Sequence, residues 1–324
     1  MAPSVDAPSR VPAVPLLIDD RPAEQSAHTS RRRLGIAAIV VSATAMGAAG
    51  LFGRMATPPG AVLGEALTFG RMLVGGLGML VMLALSRRLG KLRRARLSWS
   101  VVLGGVFLAL SLATYLSATV LTDLSRAVVL HYLGPVLATV FARMFLGETI
   151  TRRDAVSLVA AFTGMLLAAG LIGGAPAPSS DDQLLGTVLG VVSGVFYGAA
   201  LLCYRYRSDM PADLRSFWTF AFGAAATGLV VVVTRPDLSG MTPGNWVWAI
   251  GFFVVCGLFA LGLLVVAGTY LRAAELAGLS YLEVVVALML GAAVFGESVS
   301  LLAGAGAGLV IVAMALPLTS PRRR

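Results

Sequence analysis

Seven long stretches without a single Asp, Glu, Lys or Arg dominate this chain: residues 34–53, 97–122, 155–180, 183–204, 216–234, 238–271 and 298–321. A run of roughly 20 apolar helical residues crosses the roughly 30 Å hydrocarbon core of a bilayer, where a helix satisfies all of its backbone polar groups internally. Three further apolar segments carry isolated titratable residues. They are 61–85 with Glu65 and Arg71, 125–146 with Arg126, His131 and Arg143, and 277–296 with Glu283. In chain order these segments predict ten transmembrane spans, numbered 1 to 10 below. Nearly every segment lacks the polar face that a surface helix of a soluble protein needs. The pattern therefore predicts an all-α integral membrane protein.

The pattern also repeats. Leu34 to Arg54 aligns with Leu185 to Arg205 at an offset of 151, and ten of the 21 pairs are identical, among them Gly35 with Gly186, Ser42 with Ser193, Gly47 with Gly198 and Arg54 with Arg205. Spans 3 and 8 share Thr114-Tyr115-Leu116 and Thr269-Tyr270-Leu271 at an offset of 155, followed by Leu124 with Leu279 and Ser125 with Ser280. Gly147-Glu148 answers Gly296-Glu297 at an offset of 149. Five spans per half is an odd number, so the second copy must enter the membrane from the opposite side. The expected architecture is two inverted five-helix repeats, the arrangement by which many secondary transporters alternate access to a site near the midplane.

Charge settles the expected orientation. Arg31 to Arg33, the cluster Arg87 to Arg96, Arg152, Arg153, Arg205, Arg207, Arg215, Arg272 and Arg322 to Arg324 all fall on one side if both termini are cytoplasmic, and the opposite loops are nearly free of Lys and Arg. Basic loops resist translocation, which predicts a multi-pass plasma-membrane protein with both termini inside. The net charge of +9 is then explained by headgroup-facing flanks, with no nucleic-acid partner. Arg outnumbers Lys 24 to 1, a composition that suggests a GC-rich bacterial source. No Walker-type Gly-Lys-Ser/Thr, no metal-ligand spacing and only two histidines are present. ATP hydrolysis, zinc chemistry and a bound cofactor are not expected. Cys203 and Cys256 lie in separate spans and read as packing residues.

The Gly-containing first span of each half, Arg71 in span 2, Pro135 thirteen residues before Glu148, the two Gly-Glu pairs and Leu282-Glu283 occur in an order that resembles the drug/metabolite transporter superfamily, EamA type. Val284 departs from it, standing where that family often has Pro, and span 9 is about six residues shorter than span 4. The resemblance covers residues 33–320 and implies export or exchange of metabolites, amino acids among them, without ATP. The expected organisation is a disordered cytoplasmic tail over 1–32, a first five-helix repeat over 33–173, an extracytoplasmic linker over 174–183, a second repeat over 184–319 and a basic cytoplasmic tail over 320–324.

Candidate site residues are few. Glu283 has no basic residue within four positions, and a lone carboxyl in a bilayer is either a proton-coupling group or an interhelical hydrogen bonder. His131 lies one turn before Pro135, which removes a backbone donor and frees a carbonyl; it is read as a cavity residue or an interhelical joint. Arg71 suits a substrate carboxylate or a structural ion pair. Tyr115, Tyr197 and its repeat mate Met46 suit an aromatic-tolerant cavity or plain packing. Glu148 and Glu297, each after a glycine at 147 or 296, are expected as structural hairpin residues. Gly304 and Gly308 form a small-residue stripe that fits span 5 or a second protomer. The expected function is a secondary transporter, an exporter of a small-molecule substrate such as an amino acid or a drug-like solute, possible proton coupling included. A scaffold or an intramembrane enzyme is the competing class.

Overall fold

The computed structural model describes residues 21–147, 152–168, 180–206, 210–271, 279–280, 282–297 and 300–315. Every described element is helical. Span 1 is α1 (Arg21–Gly47) and α2 (Ala49–Ala56); span 2 is α3 (Gly64–Leu85), followed by a short α4 (Leu89–Arg93); span 3 is α5 (Trp99–Leu121). Span 4 is α6 (Leu124–His131) and α7 (Leu133–Leu146), and span 5 is α8 (Arg152–Ala168). In the second half span 6 is α9 (Asp181–Tyr206) and span 7 is α10 (Ala212–Thr234). Span 8 runs through α11 (Pro243–Phe252), a π-helical turn (Phe253–Phe259) and α12 (Ala260–Tyr270). Spans 9 and 10 are α13 (Leu282–Phe295) and α14 (Leu301–Ala315).

Seven helices among the described residues are long and apolar enough to cross a membrane, and they correspond to spans 1 to 4 and 6 to 8. The segments expected as spans 5, 9 and 10 appear as the shorter helices α8, α13 and α14, and each expected segment runs on into residues outside the described set. The described residues are helical from Arg21 onward, inside the segment expected as a tail. Much of the outer surface is large and apolar, with Leu77, Leu85, Val81, Leu229 and Val233 all more than half exposed, as a lipid-facing surface requires.

The helix breaks have local causes. Pro135 cannot donate to the carbonyl of His131 and its ring crowds that turn, so span 4 breaks at Tyr132. Gly147 and Gly296 stop α7 and α13 with φ of 67° and 65°, left-handed values that glycine adopts without a Cβ penalty. At the start of α11, Thr242 Oγ1 accepts from the Asn245 amide while Asn245 Oδ1 accepts from the Thr242 amide, with Pro243 as the first helical residue. Asn245 Nδ2 also donates to the Met55 carbonyl at 3.0 Å, which ties this loop to the end of span 1.

Packing between the halves follows one rule. Span 1 packs on span 8 and span 3 on span 6; span 1 also meets span 9, and span 6 meets span 4. Span 2 packs on span 7, and span 5 on span 10. Exchanging each span with its repeat mate, five places along the chain, maps every one of these contacts onto another or onto itself. Spans 1, 3, 4, 6, 8 and 9 are thereby brought together where the halves meet. Gly304 and Gly308 are exposed, and among the described residues no atom lies where a side chain would project from either; Ala307 of the same helix is buried.

Candidate functional site

At that junction the helices leave a cavity lined by Met46, Arg71, Tyr115, His131, Tyr132 and Glu283, with Leu112, Val128 and Ala287 as apolar wall. Gly47 makes the junction of span 1 with span 9 possible. A Cβ at this position would lie 2.7 Å from both the Glu283 carbonyl oxygen and the Val286 Cβ, so only glycine lets α1 reach the backbone that carries Glu283. The cavity volume is about 30 Å³, far below that of a pocket for a small organic ligand.

Arg71 is 2% exposed, and the contacts of its guanidinium are poor ones for a buried cation. Nη2 lies 3.1 Å from the Met46 sulfur, the Phe252 ring sits 5.4 Å from Cζ, and Nε has no hydrogen-bond partner among the described residues. Thioether and ring are weak acceptors. Glu65 gives no help, since its carboxylate takes a hydrogen from Thr234 Oγ1 at 3.3 Å. On the other side of the cavity the Tyr132 hydroxyl donates to Glu283 Oε2 in a short contact. No ion pair joins Arg71 to Glu283 among the described residues. The π-helical turn of span 8 lies beside this site: its Cys256 is fully buried and donates to the Ala45 carbonyl at 3.2 Å, and a Cβ at Gly257 would lie 3.0 Å from the Arg71 carbonyl oxygen. π-helical turns occur frequently at functional sites.

His131 is both wall and joint. Ser111 Oγ donates to the Ser193 carbonyl at 2.8 Å, and Ser193 Oγ donates to the Ser111 carbonyl at 2.8 Å. The Ser193 hydroxyl oxygen also lies 2.7 Å from His131 Nδ1, so the two serines and the imidazole form one buried hydrogen-bonded group that joins spans 3, 4 and 6. Tyr197 stacks on the imidazole with centroids 4.7 Å apart and an interplanar angle of 8°, and Tyr115 lies 4.8 Å away on a tilt.

Of the six residues expected at a cavity, Met46, Arg71, Tyr115, His131 and Glu283 line it. Tyr197 stands one layer behind, against His131 and Tyr132. Tyr132 was not among the expected residues. Its signal in the sequence is a repeat match, Tyr132 with Tyr281 at the same offset of 149 that pairs the Gly-Glu steps. Glu148 lies outside the described residues. Glu297 does more than end its own hairpin. Its carboxylate takes hydrogens from the Leu124 amide at 2.5 Å, the Ser125 amide and hydroxyl at 3.0 Å, and Arg54 Nη1 at 2.8 Å.

A buried cavity built jointly by two halves of an apolar helical bundle is the form of a membrane transporter. The chain belongs to the EamA-like transporter family, whose profile matches residues 33–170 and again residues 184–319. It is 26% identical over 281 residues to an uncharacterized transporter of Archaeoglobus fulgidus, an alignment spanning 86% of this chain and 94% of the relative. A crystal structure with 21% sequence identity superposes with a TM-score of 0.60 over 89% of this chain and 96% of the other, which shows a shared fold.

Proposed function

We propose that this protein is a secondary transporter that exports a small zwitterionic metabolite, with amino acids as the substrate class, by alternating access between two inverted five-helix repeats. The observation that carries the reading is the separation of Arg71 from Glu283 across one buried cavity. A cation and an anion held apart in a low-dielectric site are costly unless a ligand pairs with both. A carboxylate against Arg71 and an ammonium against Glu283 complete the two charges at once, and Tyr115, Tyr132 and His131 supply apolar ring surface for the rest of the molecule.

Ten spans in two inverted repeats are supported by the exchange symmetry of the helix contacts and by the double match of one family profile. The distribution of Arg places both termini in the cytoplasm in this reading, with the protein in the plasma membrane. Because pockets for small ligands occupy about 300–1,000 Å³, a cavity of about 30 Å³ belongs to a contracted state that must open to load. Export is the direction that the family resemblance implies. Glu283 provides its coupling: a proton and the substrate ammonium compete for the same carboxylate, so proton entry on one side releases substrate and proton loss on the other side restores the site.

Purified protein in proteoliposomes tests this. Imposed pH gradients are expected to drive counterflow of labelled amino acids, accompanied by a pH change in the lumen. Glu283→Gln is expected to lose the response to the gradient while retaining substrate exchange at a reduced rate. Gradient-driven flux that persists in Glu283→Gln would remove the carboxylate from coupling, and an absence of any amino-acid flux in the parent protein would remove the substrate class.

A further inference from the structure

The turn between spans 3 and 4 brings two helix ends together, the last carbonyls of α5 and the first amides of α6. Such groups have no partners inside their own helices. Arg54 serves the carbonyls, Nε donating to Thr119 at 2.5 Å and Nη2 to Thr122 at 2.7 Å. Glu297 serves the amides of Leu124 and Ser125, a task that Asp123 at the cap position does not perform with its own side chain. The two are themselves joined, Arg54 Nη1 to Glu297 Oε1 at 2.8 Å, and the guanidinium also lies 4.5 Å over the Phe295 ring. A cation at a helix C-terminus and an anion at a helix N-terminus both complement the helix dipole. This corner lies at one mouth of the bundle and is nearly closed to solvent, with side-chain exposures of 18% and 7%.

What Glu297 caps is a short helix whose other end is cavity wall. α6 has eight residues, and the break at Tyr132 separates it from α7. Val128, His131 and Tyr132 line the cavity. α6 and α13 run antiparallel and are tied at both ends. The start of α6 is held by Glu297, just past the end of α13, while Tyr132, just past the end of α6, donates to Glu283 in the first turn of α13. The place of the Glu297 carboxylate depends in turn on Gly291. A Cβ there would lie 2.7 Å from Glu297 Oε2, so the carboxylate reaches α6 along this path because residue 291 has no side chain.

We infer that Glu297 is a positioning residue for the cavity: by capping α6 it sets where Tyr132 meets Glu283, from the far end of that helix. Arg54 and Gly291 hold the carboxylate in the place from which it can do so. The inference rests on the proposed function for what the cavity carries, and adds to it a residue outside the cavity that fixes the shape of its wall.

The test uses the purified full chain with Cys203→Ser and Cys256→Ala and a single reporter, Val128→Cys, at a wall position that is 2% exposed. Its rate of reaction with N-ethylmaleimide is measured without any substrate, so failure of the flux experiments above would leave this result standing. Glu297→Ala is expected to raise the rate roughly fivefold, the scale of a lost helix cap. Gly291→Ala keeps the charge but displaces the carboxylate, and should give a rise of roughly two- to fivefold, which preserves the test if Glu297→Ala impairs folding. Tyr132→Phe alone should raise the rate comparably. In the Tyr132→Phe background, where no hydroxyl is left to position, Glu297→Ala should change the rate by less than about twofold, because residues acting through one contact are not additive. The same factor for Glu297→Ala in both backgrounds would mark a general loss of structure and overturn the inference. So would a rate unmoved by Glu297→Ala and Gly291→Ala, and so would a rise confined to Glu297→Ala, which would trace the effect to charge and not to position. Each of these results leaves the amino-acid reading untouched.

Discussion

The protein holds two arginine–glutamate pairings at the junction of its halves, and they are built in opposite ways. At the mouth, Arg54 makes three hydrogen bonds and Glu297 accepts four, so both charges are fully compensated inside the protein. At the centre, Arg71 finds a thioether and a ring while Glu283 takes one tyrosine hydroxyl, and the two never meet. Buried charge is costly in either place. The compensated pair can repay that cost within the fold, whereas the uncompensated one leaves two charges for which the proposed substrate would supply partners. On the proposed function, the difference separates groups that hold a conformation from groups that would hold a ligand.

Mutation of the two arginines should therefore produce opposite profiles. Arg71→Gln is expected to lower amino-acid flux in proteoliposomes by roughly a hundredfold, the scale of a lost charge-assisted contact in a desolvated site, with an unchanged or raised melting temperature because a poorly compensated buried charge has been removed. Arg54→Gln is the next largest effect and falls on stability. It leaves Glu297 and two backbone carbonyls short of donors, and the thermal midpoint is expected to fall by roughly 5 °C or more, with flux altered only several-fold. Comparable stability losses in the two variants would break the distinction. Differential scanning fluorimetry beside flux per mole of protein reads both quantities on the same samples.

The contrast also shows which features were legible in sequence. Spans 1 to 4 and 6 to 8 could be read because lipid demands uninterrupted apolar length, a requirement that acts on every residue of the run. The break at Tyr132 follows from Pro135 alone. Arg71, His131 and Glu283 stood out because titratable groups in apolar runs are rare, and the same rarity marks the cavity in the structure. Partnership was not legible. Arg54 lies at the edge of a span, where a basic residue is ordinary, and its acceptor stands 243 positions away. Glu297 follows a helix-ending glycine and invited a local explanation, yet the amides it satisfies belong to the other half. Tyr197 was expected at the cavity from its pairing with Met46, but α9 continues unbroken past the level where α1 stops at Gly47, and the ring comes to rest on His131 instead.

A third arginine–acid pair allows burial to be separated from pairing itself. Arg88 Nη1 lies 2.5 Å from Asp213 Oδ2, joining the segment after α3 to the start of α10, a contact that also crosses between the halves. Its arginine side chain is 37% exposed, about twice the exposure of Arg54, and among the described residues it has no second acceptor resembling Thr119 or Thr122. Solvent and salt screen such a pair, so Arg88→Ala is expected to cost about 0–1 kcal/mol, to shrink further at high ionic strength and to leave flux unchanged. Melting curves at low and high salt provide the check. If Arg88→Ala destabilised the protein as strongly as Arg54→Gln, an ion pair between the halves would be sufficient in itself, and the distinction drawn from burial and full hydrogen bonding would lose its physical basis. A small, salt-sensitive effect instead assigns the strength of the mouth contact to its enclosure, because the two pairs have the same charges and comparable N–O distances, 2.5 and 2.8 Å, and differ chiefly in what surrounds them.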